Sequence, residues 1–159
     1  MKFLKIAFPL MALVLVITSC QDPMENPDPN TSPSIWNGSK ITFEKPDGGD
    51  PALAENQDRI SDEVWLTRGN VGGQIYNIVS EDSADQSTSP VGTLWAIGTT
   101  EELESLEFSN FRAAIGSPQS AVDKNLVLLL EDENIAIDLK FTKWSGGSKG
   151  GFAYERSTK

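Results

Sequence analysis

Two counts decide most of the chemistry open to this chain: it has one cysteine, Cys20, and no histidine. Together they exclude a Ser-His-Asp triad, a Cys-His nucleophile pair, histidine-ligated zinc or iron, an intramolecular disulfide and CxxC redox or zinc chemistry. What remains for an enzyme is a carboxylate pair, as in glycoside hydrolysis, or a Ser-Lys nucleophile. Twenty-three acidic residues make chance pairs unavoidable. Asp58, Asp62 and Glu63 lie around a strand entrance and Glu131, Asp132 and Glu133 in a turn, where solvated turn acids are the plainer reading. No catalytic residue is assigned.

Non-catalytic chemistry is better represented. The segment from Lys45 to Asp58 gathers hard oxygen donors in a glycine-containing loop, the ligand type calcium prefers. Its spacing is not that of an EF-hand, and a plain turn-rich loop competes with the metal reading. The ligands it would offer are Asp47, Asp50 and Asp58. No cofactor is required by anything in the sequence. Trp36, Trp65, Trp95, Trp144, Tyr76 and Tyr154 would stack on sugar rings if they stood exposed on one sheet face, although strand aromatics more often fill a core. Trp144, beside the run Gly146-Gly147-Ser148-Lys149-Gly150-Gly151, is the ligand-binding candidate. That run resembles a phosphate loop but lacks the Gly-Lys-Ser/Thr step and has no helix after it, so it reads as a hairpin loop. Asp82-Ser83-Ala84 resembles the acceptor of bacterial periplasmic O-glycosylation, with a chance match in a polar loop as the simpler account.

The address of the chain is clearer than its task. Met1-Lys2-Phe3-Leu4-Lys5 is a short positive leader, and Ile6 to Ile17 is an apolar run too short to span a bilayer, so residues 1–19 read as a signal peptide. Ile17-Thr18-Ser19-Cys20 resembles the lipobox of bacterial lipoproteins. The resemblance implies cleavage before Cys20, a diacylglycerol thioether on its sulfur and usually a further acyl chain, and two or more chains anchor stably where one is marginal. Loss of residues 1–19 removes Lys2 and Lys5 but no acid, leaving 140 residues with 11 bases against 23 acids, a charge of −12. Attachment to a membrane must then come from the lipid, since no basic patch is available. The same balance argues against a grip on nucleic acid.

Residues 20–33 carry four prolines and three acids with no apolar period, which makes an extended tether. Asp22 and Glu25 partly resemble the acidic tract that directs some lipoproteins to the outer face of the outer membrane. The expected location is therefore the outer membrane, facing either the periplasm or the cell surface.

These side chains need elements to position them, and residues 34–159 read as one β-rich domain. Val64–Arg68 and Gln74–Val79, separated by a glycine-rich loop, should form a hairpin. Thr93–Ile97 and Gly151–Arg156 are further strands. Ile135, Ile137, Leu139 and Phe141 alternate with Ala136, Asp138, Lys140 and Thr142, which puts the four apolar residues on one face. Asn125–Leu130 is apolar on both faces and should sit centrally, joined to the next strand by the polar turn Glu131–Asn134. Thr99 or Thr100 followed by Glu102 predicts one short helix near 100–107. The sum is an all-β chain, an antiparallel β-sandwich or jelly roll.

Trp36 with Ile41-Thr42-Phe43, the segment Asn56–Ile60 leading to Val64–Gly69, Tyr76-Asn77, Ser89-Pro90 before Trp95, Asp138–Trp144 and Gly150–Thr158 together resemble a domain of secreted and surface proteins of environmental bacteria. The resemblance spans nearly all of 34–158. It implies an extracellular, single β-rich domain and carries no catalytic residue, because that family has no established activity. The expectation is a lipid-anchored cell-envelope domain that binds or builds, with an extracellular glycan or a surface protein as partner. The alternative is a carboxylate-dependent enzyme acting on extracellular polysaccharide, which would need two carboxylates facing across a cleft. A purely structural subunit, with an uncovered apolar patch or edge strand, is the third reading.

Overall fold

A computed structural model describes residues 31–159. The leader, Cys20 and the first part of the tether lie outside them. Among the described residues, nine strands form two sheets: β1 (Ser34–Trp36), β2 (Ile41–Lys45), β3 (Asp58–Arg59), β4 (Trp65–Arg68), β5 (Ile75–Asn77), β6 (Thr93–Ile97), β7 (Asn125–Leu130), β8 (Ile135–Trp144) and β9 (Phe152–Arg156). The larger sheet runs β2-β9-β8-β7-β6, and β3-β4-β5 forms the smaller one. All pairings are antiparallel except that of β1, which lies parallel to the first residues of β8, Ile135–Ile137. This is the expected all-β, sandwich-like architecture.

The β7–β8 hairpin has the predicted register. Leu126 faces Leu139 and Leu128 faces Ile137, while Trp95 of β6 pairs with Leu128 from the other side. These residues are almost completely buried and join Phe141, Phe152 and Tyr154 in a core that also takes Leu66 and Ile75 from the smaller sheet. Central placement explains why β7 reads as apolar on both faces: Val127, on the far side from that core, is buried as well. Opposite Val127 stands Asp138, whose carboxylate accepts the backbone N–H and the hydroxyl of Thr100, both at 2.8 Å.

The short helix expected near 100–107 is present, though of the 3-10 kind, and α-helical structure lies further along the chain. The segment near 100–107 is a kinked 3-10 turn, Thr100–Ser105, fastened to β8 through Asp138; Thr99 makes no side-chain cap. The α-helix of the described residues, α1 (Phe111–Ile115), comes later. Its five residues are too few for a periodic signal, and tertiary contact makes it: Phe111 packs at 4.9 Å on Trp95, and the Ser89 hydroxyl accepts the Phe111 N–H.

Candidate functional site

Three glycine-containing loops meet at one end of the sandwich: 46–49, 69–73 and 145–151. Their meeting is fixed by two cations on strand ends. Lys45 lies at the end of β2 opposite Phe152, on the core side, and is fully buried. Its ammonium donates to Asn70 Oδ1 at 2.9 Å and to the Gly150 carbonyl at 3.2 Å. Arg68 ends β4 two residues after the buried Leu66 and is itself 2% exposed. Its guanidinium donates to the carbonyls of Gly73, Ser145 and Gly151. Asn70 closes the ring by donating to the Gly49 carbonyl. A Cβ on Gly150 would strike Asn70, and one on Gly151 would strike Asp47. The close approach of the loops therefore requires both glycines.

Neither cation has a carboxylate within ion-pair distance among the described residues. Burial is the first cause that lowers the pKa of each; the charge of Arg68 lowers Lys45 further, and Asp47 pulls back on both from a distance. Two uncompensated buried cations are costly to hold. Here backbone carbonyls carry their solvation.

Arg68 also reaches a cavity of about 350 Å³ that it shares with Arg112, Trp144, Gln86, Gln119 and Ser148, and no acidic residue lines it. Gly72 and Gly73 form part of its wall. Arg112 stands on α1 and donates through Nε to Gln74 Oε1 at 2.9 Å. Gln74 is buried, and its amide nitrogen donates to the carbonyls of Asp85 and Thr88, so one side chain positions both Arg112 and the loop bearing Gln86. Among the described residues, Nη2 of Arg68 and both terminal nitrogens of Arg112 make no hydrogen bond. The indole N–H of Trp144 is buried without a partner.

Trp144 differs from its expected role. It packs on Phe141 at 5.5 Å, Phe152 at 5.9 Å and Phe111 at 6.4 Å, and the Arg68 guanidinium covers its ring at 4.2 Å. That face is closed to a sugar. A β-bulge between Phe141 and Lys143 is the cause: it offsets the strand by one residue, so that Trp144 lies on the same side as Phe141 despite its opposite parity. The row of exposed aromatics anticipated for a glycan platform is absent among the described residues. Trp95, Tyr76 and Tyr154 are buried, Trp36 and Trp65 are half-buried, and Arg59 covers Trp65 at 4.0 Å.

The calcium loop is not assembled as expected. Asp58 is buried and faces Arg156, with Oδ2 accepting from Nε at 2.6 Å and Oδ1 from Nη2 at 2.8 Å; the Tyr154 hydroxyl donates to Oδ2 at 2.6 Å. Both of its oxygens are engaged, and it belongs to the core. Asp50 caps the turn by accepting the Ala52 N–H, while Asp47 is exposed and 3.8 Å from Lys149. No group of three or more acidic or cysteine side chains suited to a metal occurs among the described residues.

A further cavity, of about 490 Å³, lies elsewhere, between Ser32–Ile35 and the turn Thr100–Ser105. Its carboxylates, Glu101, Glu102 and Glu104, all come from that one turn, and it contains neither a cation nor an aromatic ring. Ser83 is exposed in a loop beside a further cavity that shares Gly72, Gly73 and Gln86 with the cationic one. Cys20 lies outside the described residues. No family model, no curated protein and no solved structure matches this chain.

Proposed function

We propose that this is a non-catalytic binding domain, held at the cell envelope by lipid on Cys20, with an extracellular glycan as its ligand and the cavity framed by Arg68, Arg112 and Trp144 as its binding site. One observation carries the reading. In a chain of net charge −10, loops and α1 converge on a cavity with two guanidinium groups, two side-chain amides and no acid in its lining. Such convergence of polar donors from separate segments on a rigid frame suits ligand recognition. Gln86 and Gln119 are both exposed and suited to sugar hydroxyls, while Trp144 forms part of the floor. The lining offers no carboxylate pair to hydrolyse a glycosidic bond, which favours holding over cleaving.

The lipid anchor is supported by the lipobox resemblance at Ile17–Cys20. Metabolic labelling with an alkyne fatty acid tests it: the label is expected on the native chain and lost in Cys20→Ser, and label retained on the serine variant refutes the anchor. The binding reading is tested by probing an extracellular glycan array with the full chain in detergent. Retention of a glycan that is lost in the double variant Gln86→Ala/Gln119→Ala supports it. No retained glycan, or retention unaffected by the double variant, refutes the site.

A further inference from the structure

The cavity described above is more specific in its chemistry than a general polar site. We infer that it recognises an anionic group on its ligand, the carboxylate or sulfate of an acidic saccharide, through Arg112 and the free edge of Arg68. The inference rests on the proposed binding function and narrows its ligand class. Three observations bring it about.

First, the guanidinium groups come to the cavity already oriented. Arg68 is held by three backbone carbonyls and by stacking on Trp144, and Arg112 by the buried Gln74. A side chain fixed in this way loses little rotamer freedom when it binds, so more of each charge-assisted hydrogen bond is realised as affinity. Second, the terminal nitrogens left over, Arg68 Nη2 and the Nη pair of Arg112, have no partner among the described residues. A planar two-oxygen acceptor matches guanidinium donors of this kind. Third, the charge is unanswered locally. The lining contains no acid, and Asp47, the carboxylate whose field acts on Arg68, is exposed and sits 3.8 Å from Lys149. The buried Lys45 beside Arg68 adds a second positive charge to the same loop junction. An anion entering the cavity would therefore meet a local positive field within a protein that is otherwise strongly acidic. That contrast also gives selectivity, because the rest of the surface repels anions that do not fit.

Titration calorimetry on the full chain in detergent tests the inference with three probes: trigalacturonate, its neutral counterpart galactotriose, and inorganic sulfate. The acidic trimer is expected to bind at least about tenfold more tightly than the neutral one, with affinity falling as salt is raised. Arg112→Gln should weaken trigalacturonate by about tenfold and reduce its advantage over galactotriose by a similar factor. Ser148→Glu places a carboxylate at an exposed position of the cavity wall and should weaken trigalacturonate to a similar degree, so a folding failure in the arginine variant does not remove the test. Equal binding of the two trimers, insensitive to both variants, overturns the inference and leaves the glycan reading standing. Sulfate binding that is lost in both variants, without binding of either trimer, upholds anion recognition and overturns the glycan reading. Absence of binding by all three probes overturns both.

Discussion

Replacing Asp58 by Asn should be among the most damaging single-atom changes available in this domain. Asp58 belongs to β3 of the smaller sheet, whereas Arg156 and Tyr154 belong to β9 of the larger one, so their hydrogen bonds join the two layers. The side chains of Asp58 and Arg156 are only 7% and 6% exposed. Burial alone lowers the pKa of Arg156, but the hydrogen bond and charge of Asp58 outweigh it and raise the net value. In Asp58→Asn the guanidinium keeps its burial and loses its counter-charge, and one amide N–H2 must face N–H donors. Removal of one partner from a buried pair costs about 3–5 kcal/mol. With a urea dependence of about 2 kcal/mol per molar, the midpoint should fall by about 2 M, a large share of the ~5–15 kcal/mol that holds a typical domain. The double variant Asp58→Leu/Arg156→Met removes both charges and should recover most of the loss. Urea unfolding followed by tryptophan fluorescence reads both. A midpoint shift below about 0.5 M for Asp58→Asn, or a double variant no better than the single one, would refute the reasoning.

Three further outcomes are expected. Leu139→Asp, buried opposite Leu126, should cost about 3–5 kcal/mol, whereas Lys140→Glu on the outer face, opposite Glu155, should cost about 1 kcal/mol or less; similar urea midpoints for the two would contradict the register. The hydroxyl of Tyr154 is pushed well above its ordinary pKa, first by burial and then by Asp58. The unfolded chain therefore releases this proton first, and stability should decline as pH rises through about 10; Tyr154→Phe should flatten that alkaline limb, and an unchanged slope would count against it. Because both oxygens of Asp58 are already taken, the melting temperature should be the same in millimolar calcium and in chelator, and a rise in calcium would restore the metal reading of Asp47 and Asp50.

Legibility in the sequence tracked how local the determining physics was. The β7–β8 hairpin was legible because strict alternation from Ile135 to Phe141 puts four apolar residues on the core face, where Ile137, Leu139 and Phe141 are buried and Ile135 is half-buried. The glycine-rich turn between β4 and β5 was legible for a similar reason. That Trp144 lies on the core side with its ring face under Arg68 was not legible, because a single extra residue at the bulge reverses parity and nothing in the run Lys140–Trp144 marks where that residue falls. Asp58 was taken for a loop acid because its partner Arg156 lies 98 residues away, a separation no local pattern encodes. Arg68, Gln74 and Arg112 were missed for the same reason. The available signal was weak: a cation ending an otherwise apolar strand beside a glycine run.

The misread residues share one physical cause, and it bears on how such an acidic domain holds its functional end. These loops themselves carry one acid, Asp47, and one base, Lys149, so their own charges give no net attraction that would fasten them. The fold instead supplies its own cations from inside, with Lys45 and Arg68 placed on core-facing strand positions and solvated by loop carbonyls. A metal would satisfy oxygens and leave nothing over. A guanidinium planted among carbonyls has five N–H donors in a fixed plane, and Arg68 uses three hydrogen bonds to gather the loops. The edge that remains is directed by the same contacts that close the loops, so the residue that fastens this end of the sandwich is also the one prepared to meet a ligand. Arg156 also makes three hydrogen bonds, but two of them go to the buried carboxylate of Asp58, so its charge is answered inside the core. The distinction between a structural ion pair and a recognition cation here is therefore whether a carboxylate answers the charge, as Asp58 does for Arg156 and none does for Arg68 among the described residues.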